Sequence, residues 1–274
     1  MLLAACVDVQ GIAYASASAA TGASYWKLRA ILGDLGAAVI ASFVVTPLTQ
    51  IVDVAVSRSA GGSCTVLQGL AQGATDWLTK PFYMLRQPAF KFCWFVYLCT
   101  YITANLIENI CVLFLKVPFA IPKLLGVTLA NMLACIYKDA ALAKIFGKSD
   151  NGKPFPVAGY LLFVIRDLLA NAGGFTFPPM VLPLLIPWLG AGRAAVAAQL
   201  GIPAAINIVS SPIHFLALTL YNNPKSSMGQ HLRAVAAAYT GATSSRIVKG
   251  LAAYGIGGVS NTALRARVGM SSFN

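Results

Sequence analysis

Between Met84 and Ile110 the chain reads MLRQPAFKFCWFVYLCTYITANLIENI, a basic, proline-bearing start followed by an almost unbroken apolar run. A helix of about 20 such residues spans the hydrocarbon of a bilayer. Backbone groups in hydrocarbon must bond within their own structure, which leaves helices or a closed barrel. The apolar runs here are long and do not alternate, so helices are expected. Composition agrees: 58% of the 274 residues are hydrophobic and 10% charged, with a mean hydropathy of +0.72, values that belong to polytopic membrane proteins.

A formal net charge of +12 would suggest nucleic acid in a soluble protein. Here the bases are scattered through loops, so lipid head groups and topology account for them and no nucleic-acid partner is expected. Six cysteines, at positions 6, 64, 93, 99, 111 and 135, form no CxxC pair, which argues against a metal or redox centre. The N-terminal stretch MLLAACVDVQGIAYASASAA has no basic start and no arginine-rich amphipathic pattern, so neither a secretory signal nor a transit peptide is expected.

Six spans follow in order. The first covers Ala30 to Val56, with Pro47 inside, and an amphipathic surface segment runs from Cys64 to Leu78. The second covers about Pro88 to Leu115, and the third Pro122 to Phe146. After the hydrophilic loop GKSDNGKPFP, a short surface helix reaches about Leu162 and a fourth span continues toward Trp188. Arg193 to Tyr221 is the fifth span, bent at Pro212. Arg246 to Arg265 is a glycine-rich, weakly hydrophobic sixth, preceded by another surface helix. Thirteen of the twenty lysines and arginines fall on the side of the three long loops, which by the positive-inside tendency faces the matrix or cytoplasm.

Arg86, Arg166 and Arg246 recur at 80-residue intervals, and Pro47, Asn131 and Pro212 head the related strings TPLTQIVD, ANMLACIYKD and SSPIHFLAL at intervals of 84 and 81. A bent helix, loop, surface helix and straight helix therefore repeat three times, over about 30–115, 118–190 and 193–270 of a single membrane domain. The fold expected is all-α, with six transmembrane helices in three pseudo-symmetric repeats and short surface helices on one side.

On the prolines Pro47 and Pro212, the string LQGLAQG at Leu67 to Gly73, and RQPAFKF and RDLLANAGGF after Arg86 and Arg166, the chain resembles a divergent member of the mitochondrial carrier family. That resemblance implies a multi-pass protein of the mitochondrial inner membrane, with its surface helices on the matrix side and bound cardiolipin. It also implies gate charges just after each bend. At those positions this chain has Thr49 and Val52, then Leu133 and Ile136, then His214 and Ala217, and no opposite-charge pair is expected to remain. Alternating access needs two closed states, each held by interactions broken in the other. Loss of the gate charges therefore suggests that switching has been lost.

Among individual residues, Glu108 is the lone acid of the second span, either a cavity group or a helix-end group near the head groups. His214 is either proton-sensitive or bonded to a carbonyl freed by Pro212. Asp53, Asn105, Asn131, Asn207 and Asn261 line a cavity or bond helix to helix. Gly69, Gly73, Gly159 and Gly250, near surface-helix ends, are candidate holders of a lipid phosphate, cardiolipin in the carrier analogy. No catalytic constellation, cofactor site or metal cluster is legible, so an enzyme is not expected. The sequence favours a carrier-derived accessory subunit that has lost transport and packs against other membrane subunits of a respiratory-type assembly. The alternative is a working carrier for a small neutral or monoanionic metabolite.

Overall fold

The computed structural model describes residues 23–147, 154–173 and 177–267. The reading of the N-terminal stretch, and residues 148–153 of the hydrophilic loop, lie outside them. The described residues are helical with short connections and contain no strand. In order they are α1 (Ala23–Ala60), α2 (Val66–Thr79), α3 (Pro81–Arg86), α4 (Pro88–Asn109, continued by the π-helical turn Ile110–Leu115), α5 (Ala120–Phe146), α6 (Val157–Asn171), α7 (Phe177–Leu189), α8 (Ala191–Asn222), α9 (Met228–Ala252, continued by the π-helical Ala253–Gly258) and α10 (Val259–Arg267).

Local chemistry sets several of these boundaries. Thr65 accepts from the Gln68 backbone N–H while Gln68 reaches back to Thr65, a capping box that starts α2. Ser227 and Gln230 make the same pair at the start of α9. Pro81 opens α3, where a missing N–H is harmless. Gly190, at φ 74°, turns the chain between α7 and α8 in a conformation that favours glycine.

Among the described residues, four helices are long and apolar enough to cross a membrane: Trp26–Ala60, Pro88–Leu115, Ala120–Phe146 and Ala191–Asn222. These correspond to the first, second, third and fifth expected spans. The fourth is corrected. No break falls near Leu162; instead α6 runs unbroken to Asn171 and α7 is a separate helix of 13 residues. The sixth is corrected too, because the Ser227 cap starts its helix at Met228, far ahead of Arg246. Polar and small residues keep that helix below the apolarity of a candidate span. Large apolar side chains such as Leu32, Phe43, Leu125, Leu129 and Leu133 stand exposed, as side chains facing lipid do.

The chain packs as two units. One is built from residues 23–45, 97–131 and 254–267, the other from 46–96 and 132–253. In the first, Gly126 of α5 is pressed against Ile107 of α4, and Gly257 against Tyr101. In the second, α8 packs on α6, α7 and α9. Its core joins Val52, Val56, Phe163, Phe215, Leu218 and Tyr221. Phe155 stacks on both Phe163 and Tyr221, with centroids 5.1 and 5.0 Å away.

Candidate functional site

A carboxylate or ammonium removed from water costs several kcal/mol unless an opposite charge meets it. Asp34, Asp53, Glu108, Asp139 and Asp167 are five of the eight acids in the sequence, and each of them meets a base. They fall into two separate clusters, one in each packing unit.

In the larger unit, α1 contributes Asp53, α5 the adjacent Lys138 and Asp139, α6 the adjacent Arg166 and Asp167, α8 His214, and α9 Lys249. Lys138 Nζ lies 2.6 Å from Asp53 Oδ2 and 2.8 Å from Asp139 Oδ1. Lys249 Nζ donates to the other Asp53 oxygen at 2.5 Å. Arg166 donates through Nη1 to Asp139 and through Nη2 to Asp167 at 2.7 Å. The carboxylates are thus shared: Asp53 holds two lysines, and Asp139 holds Lys138 and Arg166. Asp53–Lys138, Asp53–Lys249 and Asp139–Arg166 tie different helices, whereas the other two pairs join chain neighbours.

Arg166 is almost wholly buried, at 2% exposure, and its guanidinium lies over the Phe163 ring. Its Nη1 also stands 2.7 Å from His214 Nδ1. A guanidinium only donates, so Nδ1 must accept and the imidazole carries its proton on Nε2. Cys93 Sγ, 3.8 Å from Asp53 Oδ2, completes the shell on the α4 side.

In the smaller unit, Arg265 lies 2.9 Å from Asp34 and 3.1 Å from Glu108, and Glu108 also binds Lys123 at 2.5 Å. Three asparagines surround this group. Asn109 donates to Asp34 Oδ2 at 2.9 Å. Asn105 and Asn261 exchange reciprocal amide hydrogen bonds at 3.1 and 3.0 Å, and Asn105 also donates to the Asp34 carbonyl. Glu108, Asn105 and Asn261, singled out from the sequence, thus come together with Asp34, Asn109, Lys123 and Arg265, which were not.

The other expected residues have varied places. Thr49 is buried and donates to the Thr46 carbonyl of its own helix. Val52, Ile136 and Ala217 belong to the core of the larger unit, and Leu133 is exposed. Pro47 and Pro212 lie inside α1 and α8, and Asn131 donates to Thr100. Asn207 donates to the Pro203 carbonyl one turn earlier. Arg86 is exposed at the end of α3, Arg166 is buried among carboxylates, and Arg246 is partly buried on α9, so the three repeat arginines do not share one environment. The glycines make close contacts rather than open cradles. A Cβ on Gly69 would meet Ala55 at 2.9 Å, one on Gly73 would meet Ile51 at 3.2 Å, and one on Gly159 would run into the Phe155 ring. Gly250 lies on α9 near the Asn207 amide.

The ion pairs present lie outside the positions read as gates. The acids sit farther along their helices than the residues tested, Asp53 six positions after Pro47 and Asp139 eight after Asn131. Their partners come from other segments of the chain. An acid within an apolar run was the signal that could have found them, because such a group is untenable there without a base.

The profile of a protein family described as "Probable citrulline exporter" matches residues 37–269. No curated protein and no solved structure is matched. The family match corrects the reading of the chain as a mitochondrial carrier, whose likeness rested on prolines and short loop strings without the gate charges. It also corrects the accessory-subunit reading, since the family description is that of a transporter. The matched span covers most of the 274 residues, and the chain belongs to the probable citrulline exporter family.

Proposed function

We propose that the protein is a multi-pass transporter that exports citrulline or a closely similar zwitterionic amino acid, and that the ion network around Asp53 and Asp139 rearranges during transport. Citrulline carries a carboxylate, an ammonium and an uncharged ureido group. A site for it needs both signs of charge and amide-type hydrogen-bond partners. The observation that carries the reading is the shared, buried network itself: three inter-helix ion pairs within the larger unit, each involving a carboxylate held by two cations. Such a network has alternatives available when one pair opens, which a switching element requires. Membership of a family described as a probable citrulline exporter supports the substrate class.

The triplicated six-span plan is part of this proposal. The recurrent strings support it, as does the helical character of the described residues from Met228 to Arg267. Placement in the mitochondrial inner membrane rested on the carrier resemblance, and the transport reading does not depend on it. The test is efflux of radiolabelled L-citrulline from liposomes holding the purified full chain. The expected result is label loss well above that of protein-free vesicles. Loss no faster than theirs overturns the reading.

A further inference from the structure

The larger unit holds more positive charge than its carboxylates compensate. Asp53, Asp139 and Asp167 face Lys138, Arg166, Lys249 and Arg246, with His214 neutral by its contact with Arg166. Three carboxylates against four cations leave one charge over. The pairing identifies which one: among the described residues Arg246 makes no ion pair, and its Nε is shielded from solvent without a hydrogen-bond partner. A partly buried cation so placed is short of an anion.

Helix spacing places a second group beside it. Thr243 is one turn before Arg246 on α9, so the two share a face, and the Thr243 hydroxyl is likewise buried without a partner. Lys249, one turn later, is already engaged by Asp53. The same unit leaves Arg166 Nε and Asn171 Nδ2 unmatched, both of them donors. In the smaller unit the unmatched atoms include two acceptors, Asp34 Oδ1 and Asn109 Oδ1. Against these donors the larger unit leaves one unmatched amide acceptor, Gln50 Oε1, so donors are in excess there, and a carboxylate is the acceptor that also cancels its surplus charge.

We propose that Arg246, with Thr243 one turn before it, forms the carboxylate subsite for the transported amino acid. This rests on the transport reading above. A guanidinium can grip a carboxylate through two parallel N–H groups, and the Thr243 hydroxyl can donate to the same anion. The subsite would select free α-carboxylates over their amides.

The test compares L-citrulline with its α-carboxamide in the wild-type chain and in Arg246→Gln, Arg246→Lys and Thr243→Val. Wild type should prefer citrulline over the amide. Arg246→Gln should lower citrulline efflux about tenfold or more, as expected for a charge-assisted hydrogen bond, and leave amide efflux unchanged or raised. Arg246→Lys should keep part of the preference, and Thr243→Val should lower citrulline efflux less than Arg246→Gln does. The ligand-free melting temperature of Arg246→Gln should match wild type or exceed it, because no carboxylate loses its partner. Equal falls for citrulline and amide, or an undiminished preference in Arg246→Gln, overturn the subsite while leaving transport standing. If wild type moves no citrulline, the transport reading fails and thermal protection of the detergent-solubilised protein decides the subsite. Stabilisation by citrulline but not by its amide, lost in Arg246→Gln, supports it, and any other pattern overturns it.

Discussion

Asp53→Asn is the substitution that most directly tests whether the network is built as its geometry implies. The change is nearly isosteric, so packing against α5 and α9 is preserved while the charge is removed. Lys138 keeps Asp139 at 2.8 Å, but Lys249 loses its carboxylate partner. Breaking a buried ion pair by removing one partner costs about 3–5 kcal/mol. The Lys249 side chain is 16% exposed and can bend its stem toward water, which puts the cost at the low end, about 3 kcal/mol. For a chain of this size each kcal/mol moves the melting temperature by about 2–4 °C, so a fall of roughly 6–12 °C is expected. Intrinsic tryptophan fluorescence of the detergent-purified protein reads this directly. Removing the orphaned partner as well, in Asp53→Asn with Lys249→Met, should recover much of the loss, the non-additivity that marks a direct pair. A single-variant melt within about 2 °C of wild type, or a double variant as low as the sum of the two singles, would refute the reasoning.

Two further predictions rest on local geometry. Asn105→Ala removes both reciprocal bonds to Asn261 and the bond to the Asp34 carbonyl; each buried group left without a partner costs about 1–3 kcal/mol, so the melt should fall by several degrees. Asn105→Leu with Asn261→Leu should be milder than the sum of its parts. Gly69→Ala pushes a Cβ to 2.9 Å from Ala55 backbone and side chain, and overpacking there should cost about 1–3 kcal/mol. Its melting temperature should drop equally with and without added cardiolipin, whereas a drop seen only with the lipid would restore the phosphate-holding role expected from the sequence.

Run length made the spans legible. The apolar stretches starting near Ala30, Pro88, Pro122 and Arg193 correspond to α1, α4, α5 and α8 within a few residues at most ends, because an apolar helix of that length has few alternatives. The segment after Val157 was harder, since its hydropathy continues across the end of α6 and gives no sign that the helix stops at Asn171. The start of α9 was legible, but its continuity through Arg246 was not. Ser227 and Gln230 stand three apart, the spacing of a capping box, and the surface helix expected there is the start of one helix that runs unbroken past Arg246 to Ala252. The ion network was legible only by half. An acid in an apolar run announces that a base must meet it, but whether Asp53 meets Lys138, Lys249 or neither depends on which helices touch. Eighty-residue periodicity drew attention to Arg86, which is exposed, as strongly as to Arg166, which lies in the network.

Why an apolar bundle should keep so many charges follows from what ion pairs do badly and what they do well. A buried pair replaced by well-packed apolar groups is often neutral or more stable by about 1–4 kcal/mol, so stability alone does not favour the network. Sharing changes its behaviour. Opening Asp53–Lys249 leaves Asp53 compensated by Lys138, and opening Asp139–Arg166 leaves Asp139 compensated by the same lysine. The first opening strands only Lys249, and the second strands neither partner, because Arg166 keeps Asp167. In the proposed cycle a substrate carboxylate arriving on α9 meets that deficit, because Arg246 and Lys249 lie one turn apart on the same face. Driving a two-state equilibrium from 1:99 to 99:1 takes about 5.5 kcal/mol of differential binding. Two charge-assisted hydrogen bonds of about 1.5–3 kcal/mol each come close to that figure. A neutral amide, making weaker bonds and leaving the stranded charge uncancelled, falls well short of it, so on this account the carboxylate both identifies the substrate and drives the opening of the network.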